Sequence, residues 1–317
     1  MKQTTFASLA FEHKKKLTRR EQFLKEMDQV VPWARLVKRI ERHYPKAGNG
    51  RAPMPLQTML RIYFLQQWFN LSDPAAEDSL YDIESMRRFC GIELGDQSVP
   101  DETTILNFRR LLEQHRLTEA IFKEVNRLLS DKRLLLKSGT LVDATIIAAP
   151  GSTKNEHKAR DPEMTQTRKG NQWYFGMKVH IGTDRQGIAH TVTTTTAKEA
   201  DITQLPKLLH GKERVVHGDR GYWSREANRY LRKRGIRSRL QKRAAAGHPL
   251  TESEKVRNQR WSSVRARVEH PFHVIKRLWG FAKVRYRGLA KNTARVFALL
   301  ALSNLYLVRR RLAPHGA

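Results

Sequence analysis

Apolar residues recur at helical spacing through most of the chain up to about residue 135. In MPLQTMLRIYFLQQWFN, Leu56, Met59, Leu60, Tyr63 and Phe64 fall on one side of a helix together with Gln67. Two further helices are marked by their starts. SDPAAEDSLYDIESMRRFCGI offers Ser72 or Asp73 as a cap with Pro74 in the first turn, and PDETTILNFRRLLEQHRL offers Asp101 as a cap and carries Arg109 and Arg110. Helix, turn and basic helix in succession suit a DNA-reading unit, and a small all-helical packing domain has the same pattern.

From Lys137 the period shortens. GTLVDATIIAAP is nearly all apolar and β-branched, as a strand covered on both faces is, and QWYFGMKVHIGTDRQGIAHTVTTTT predicts two strands joined by a turn at Asp184 to Gly187. A helix is expected from about Asp201, then a strand at VVHGD, a helix across SREANRYLRKRG, a short strand near IRSRL and a polar loop from about Lys242 to Gln259. Helical segments run from there to Leu312. The expected architecture is therefore a helical N-terminal region over residues 1–135 and a mixed α/β domain over 136–317, with a short basic insertion near 240–260. VFALLALSNLYLV, from Val296, is too short and, at Ser303 and Asn304, too polar to span a bilayer, and predicts a buried helix.

Charge then narrows the function. The chain of 317 residues carries 60 Lys and Arg against 31 Asp and Glu, a formal net charge of +29. Such an excess repels itself in any compact fold without a polyanionic partner, and nucleic acid supplies one. Anionic membrane is the weaker partner, because no stretch pairs a lipid-facing apolar side with a concentrated basic one. Eight Lys or Arg lie between Arg229 and Arg243, among them Arg232, Lys233 and Arg234, a density that suits tracking of a phosphate backbone. The single cysteine, Cys90, excludes an internal disulfide, no Cys/His spacing suits structural zinc, and the N-terminal stretch lacks the apolar centre of a signal peptide. The expected location is the cytoplasm, at the nucleoid.

Three acids stand where acids are expensive or exposed to a cleft. Asp143 interrupts LVDATII, where an unpaired carboxylate on a buried strand costs several kcal/mol. Asp219 closes the VVHGD strand, with Gly218 and Gly221 leaving room for a ligand or another backbone. Glu269 lies on a helix whose core stripe is Val264, Val268, Phe272, Ile275 and Trp279, and the next stripe round is Arg265, Glu269 and Lys276, with Pro271 bending or restarting the helix. Two aspartates on strands and a glutamate on a helix are hard oxygen donors of the kind a pair of Mg²⁺ ions requires. Ions held about 3.5 to 4 Å apart serve phosphodiester displacement. Each acid also has a structural reading: a satisfied buried aspartate, a turn former, and a salt-bridge partner of Arg265. Asp184 and Asp201 are better read as turn residue and helix cap.

The surrounding segments sharpen the choice. LVDATIIAAPGSTKN, HGDRGYW and RARVEHPFHVIKRLWGFAKVRYRGL resemble, in this order, the three catalytic segments of bacterial insertion-sequence transposases of the DDE class, specifically the insertion-sequence-five family. YPKAGNGRAPMPLQTMLRIYFLQQWFNLSD and KGNQWYFGMKVHIG are similar to that family's helical N-terminal region and central hairpin, so the resemblance runs from near Phe6 to about Leu307. It implies an RNase H-like catalytic domain with Asp143 on the first strand, Asp219 after the fourth and Glu269 on a later helix, together holding two Mg²⁺ or Mn²⁺ ions. It implies a transposase that binds the terminal inverted repeats of its element, cuts the ends and joins the 3′ hydroxyls to target DNA, as a homodimer on duplex DNA. A silent DNA-binding regulator and an RNase H-like nuclease without strand transfer are the competing readings. Arg265 and Lys276 are implied as phosphate contacts, and Arg220, Tyr222 and Trp223, beside Asp219, are candidate DNA contacts too. The two rings have a core reading as well. Related groups often carry a tyrosine three residues before the arginine, where this chain has Ser262 next to Trp261.

Overall fold

The computed structural model describes residues 13–48, 52–94, 98–154, 156, 158–245 and 247–313. The start of the resemblance at Phe6, the N-terminal stretch ahead of His13 and the outer limits of the two expected regions lie outside the described residues.

The helical region comprises α1 (Arg19–Val30), α2 (Trp33–Ile40), α3 (Leu56–Trp68), α4 (Asp73–Asp82), α5 (Glu84–Phe89), α6 (Glu102–Gln114) and α7 (Leu117–Asp131). Their starts follow local chemistry. Thr18 and Glu21 form a capping box, Ser72 caps α4 by accepting from Ala75 N–H with Pro74 in its first turn, and Asp101 caps α6 by accepting from Thr104 N–H. α3 is buried on nearly every side, Gln66 and Gln67 included, because other helices and the C-terminal helix surround it.

The α/β half is built on β1 (Gly139–Ala148), β2 (Thr165–Lys169), β3 (Gln172–Thr183), β4 (Ala189–Thr196), β5 (Val215–Gly218) and β6 (Arg237–Leu240). β3 runs antiparallel to β1, β2 and β4, while β5 lies parallel to β1 and β6 parallel to β5, giving the path β4, β3, β1, β5, β6 with the short β2 paired to the start of β3. This order, with helices packed against the sheet, is an RNase H-like fold. The turn between β3 and β4 is made by Asp184, whose Oδ1 accepts from Gln186 and Ile188 N–H and whose Oδ2 accepts from Leu136 N–H.

Two cores sandwich the sheet. The smaller gathers Val142, Val216, Leu205, Leu208, Tyr222, Leu231 and Leu240 beneath α8 (Arg225–Lys233) and a 3₁₀ segment, Asp201–Leu208. That segment stands where a regular helix was expected, and Pro206 inside it removes the backbone donor an α-helix needs. The larger core is continuous from Leu24 to Val308 and joins the helical region, the sheet and the final helix α11 (Leu289–Leu312). Within α11, Asn304 accepts from Ala189 N–H and donates to Ala189 O, docking the helix on β4. No helix among the described residues is long and apolar enough to cross a membrane.

Between β6 and α11 the polar stretch is only half loop. α9 (Glu252–Arg265) begins at a second capping box, Thr251 with Glu254, a start signal that overrides the polarity of the run. The chain keeps winding through a 3₁₀ turn at Ala266–Val268, α10 (Glu269–His273) and a π turn at Val274–Leu278 closed by Trp279 N–H to Val274 O at 3.0 Å. Pro271 is thus accommodated by a change of winding on either side rather than by a break.

Candidate active site

Register brings the two aspartates together. Leu141 on β1 pairs with His217 on β5, and continuing that parallel register by two residues sets Asp143 beside Asp219. Alternation along β1 puts Asp143 on the face of Leu141 and Ile147, the side against which the segment from α9 to the π turn packs. A cleft of about 690 Å³ is lined by Asp143, Asp219, Glu269, Arg265 and Lys276.

Asp143 is mostly buried. Its Oδ1 accepts from Ala144 N–H at 2.9 Å and its Oδ2 from Arg265 Nη1 at 3.1 Å. Burial pushes its carboxyl up to about 6; Arg265 and the Ala144 N–H pull it down, and the charges of Asp219 and Glu269 push it further up. Asp219 does both of the things open to it. Its Oδ1 accepts from Gly221 N–H at 2.9 Å, closing a 3₁₀ turn at Arg220–Tyr222, and its side chain lines the cleft. Glu269 is the open member, 60% exposed, and Arg265 Nη2 reaches its Oε1 at 3.4 Å. Arg265 therefore bridges two of the acids. Lys276, in the π turn, donates to Thr145 Oγ1 and Ile146 O on β1, each at 3.0 Å, and burial, followed by Lys169 and Arg277, lowers its pKa.

The donor chemistry suits a hard divalent cation: three carboxylates share one cleft, and Asp143, raised first by burial and then by the charges of the other two, is a group whose ionised form a cation favours. Among the described residues, however, no three His, Cys, Asp or Glu stand close enough to form one coordination sphere. The fit is thus of donor type and of shared cleft, with Arg265 standing between Asp143 and Glu269.

A fourth acid escaped the sequence reading. Asp201 was expected to cap a helix, but the 3₁₀ segment has no side-chain cap. Its Oδ1 instead accepts from Lys178 Nζ at 2.9 Å, and it lines a smaller cavity of about 180 Å³ together with Asp143 and Asp219. The signal was Lys178, whose position on β3 opposite β1 is a matter of pairing that periodicity does not reveal.

Two of the expected DNA contacts, Tyr222 and Arg109, are buried. Tyr222 is wholly buried in the smaller core, because the turn after Asp219 folds its ring under the sheet, so it has no face to offer a base. Trp223 is half-buried against the same core. Arg109 is buried, ion-paired to Asp73 and Glu113 at 2.9 and 3.0 Å and stacked over Tyr286 at 4.2 Å. It staples α6 to α4, since its side of α6 faces the bundle, whereas Arg110 is exposed. Gly218 was expected to leave room for a ligand or another backbone, but a Cβ there would lie 2.8 Å from Leu240 Cδ2 and 2.9 Å from Val142 Cγ2, so its bareness serves packing. At Gly221 a Cβ would meet Asp219 Oδ1 at 3.0 Å and Asp201 Oδ2 at 3.5 Å, which ties this glycine to the acids. Arg220, Arg232, Lys233 and Arg234 are exposed, the last with its guanidinium 4.5 Å from the Tyr230 ring centre. Trp261, beside Ser262, is half-buried with Arg257 over its ring at 5.5 Å.

A sheet of this order, with acids at the middle of the first strand, just past the end of the neighbouring parallel strand and on a late helix, has the layout of RNase H-like enzymes that act on phosphodiesters. A family model described as "Transposase DDE domain" matches residues 135–305, and one described as "Transposase domain (DUF772)" matches residues 11–111. The chain belongs to the DDE transposases, a family that generally uses divalent metal ions. No solved structure matches it.

Proposed function

We propose that the protein binds the terminal inverted repeats of its own insertion sequence, hydrolyses the phosphodiester at each end and joins the freed 3′ hydroxyls to target DNA. The observation that carries this reading is the gathering of Asp143, Asp219 and Glu269 in one cleft with Arg265 and Lys276. Those carboxylates would hold two Mg²⁺ or Mn²⁺ ions, which supply activation of the attacking oxygen and stabilisation of the leaving one. The chain's own groups position the rest. Arg265 orients the carboxylate of Asp143 and offers its guanidinium to a phosphate oxygen, and Lys276, pinned on β1, presents fixed positive charge to the same phosphodiester. In cleavage the oxygen of water bonds to phosphorus as the bond to O3′ breaks, and the 3′ oxygen takes up a proton. In joining, that hydroxyl loses its proton as its oxygen bonds to a target phosphorus, the target's own P–O3′ bond breaks, and the displaced target 3′ oxygen takes up a proton. Two ends need two such sites, so a dimer on DNA is the smallest assembly that coordinates them.

The test is a joining assay with pre-cut end duplexes and supercoiled target. A transposase gives joined product. A nuclease of the same fold cuts uncut ends and joins nothing, and a silent regulator binds ends alone.

A further inference from the structure

We propose that a second, pre-shaped phosphate site lies at the junction of α6 with the segment leading into α11, and that it holds the backbone of duplex DNA a few nucleotides from the cut. The inference rests on the transposase reading above and adds a location to it. A cavity of about 490 Å³ there is lined by Arg109, Arg110, Arg285, Arg287 and Lys291 against one carboxylate, Glu113. Glu113 is already spent on Arg109. Arg285 is pinned to the backbone oxygen and side-chain oxygen of Asn70 at 2.6 and 2.9 Å, which makes it a fixed wall. Arg110, Arg287 and Lys291 are exposed and form no ion pair among the described residues.

Three exposed cations in a concave site, paired to no carboxylate among the described residues, match a polyanion's backbone. The position selects DNA at the active site rather than a free anion elsewhere. The edge of β1 continues from the cleft straight to this cavity: Ala148 N–H bonds to Ala282 O and Val284 N–H to Ala148 O, at 3.1 and 2.8 Å. Ala148 and Ala282 line the cleft, and Arg285, three residues on, lines the cavity. Three extended residues span about 10 Å at most, the axial rise of roughly three nucleotides of one strand.

The experiment measures binding of an end duplex by anisotropy across a salt series, for the wild type and for the triple variant Arg110→Gln, Arg287→Gln, Lys291→Gln. In parallel, single phosphates near the cut are replaced by neutral methylphosphonates. The melting temperature should not change, because none of the three side chains is paired. The log–log salt slope should fall by about one to two units. A methylphosphonate a few nucleotides from the cut should weaken wild-type binding while leaving the variant unaffected. An unchanged slope in the variant, or methylphosphonate effects equal in both proteins, overturns the site while leaving joining by the wild type to support the transposase reading. A wild type that neither binds nor joins ends overturns both.

Discussion

Two neighbouring glycines, three residues apart, divide packing from chemistry. A Cβ at Gly218 would press on Val142 and Leu240, both in a closed core where overpacking costs about 1 to 3 kcal/mol. Gly218→Ala should lower the unfolding free energy by that amount in chemical denaturation and leave DNA cleavage near normal at temperatures where the variant is folded. A Cβ at Gly221 meets instead the carboxylate Oδ1 of Asp219, the far end of a part-exposed side chain, which yields more easily than a core. Gly221→Ala should leave stability close to wild type and reduce end cleavage at least tenfold, as measured on a labelled end duplex. Near-equal loss of stability in both variants would show that Gly221 too is only a packing residue. Arg265 is the other residue on which the site turns, since among the described residues it alone is ion-paired to two of the three acids. Arg265→Gln should lower cleavage about 10²- to 10³-fold, the scale of losing one preorganised charged donor, with end binding reduced far less. The same gel and anisotropy assays decide it.

Among the elements, β3 carries a buried imidazole with a consequence for acid stability. His180 is wholly buried between β1 and β4, its Nε2 2.8 Å from Thr195 Oγ1, and burial lowers its pKa to about 4, with Asp201 acting in the opposite sense. The unfolded chain therefore binds a proton at higher pH than the folded one, so stability rises with pH across this window. Its full contribution is present above about 6.5, the unfolded histidine value, and is lost as pH falls toward 4. Melting temperature should decline over that range, and His180→Gln should flatten the decline measured between pH 6.5 and 4. A slope unchanged by the substitution would assign the acid sensitivity to other groups. Which elements were legible follows the same physics. The caps at Ser72 and Asp101, the β1 run and the turn at Asp184 are local signals and were read from the chain alone. The acids Asp143 and Asp219 stood out because a carboxylate amid β-branched residues contradicts its surroundings. Asp201 and Lys178 did not, because their meeting depends on how β3 pairs with its neighbours. The short strand β2 was missed as well. Its five residues, TQTRK, are polar, and they form a strand because the start of β3 is there to pair with them.

At the scale of the whole molecule, residue 135 is a change of pattern without being a break in packing. α11 buries its length against α7, α1 and α3 as well as β4, and Arg295 within it donates to Gln67 Oε1 and Asn70 Oδ1 at 3.2 and 2.8 Å. A fragment of residues 136–317 would expose that face and leave Arg295 without its partners. It should show no cooperative thermal unfolding by circular dichroism, whereas the full chain should. This shared core also gives the +29 charge a rigid frame. The cleft, the basic end of α8 and the cavity beside α6 then keep fixed spacings, as the proposed duplex contacts require. The most direct measurement is joining of pre-cut end DNA to a target plasmid in Mg²⁺, by the wild type and by Asp143→Asn, with end binding followed alongside. The wild type should give joined product and the variant none, at comparable end affinity. Joining that survives Asp143→Asn, or a wild type that binds ends and joins nothing in Mg²⁺ or Mn²⁺, would contradict this.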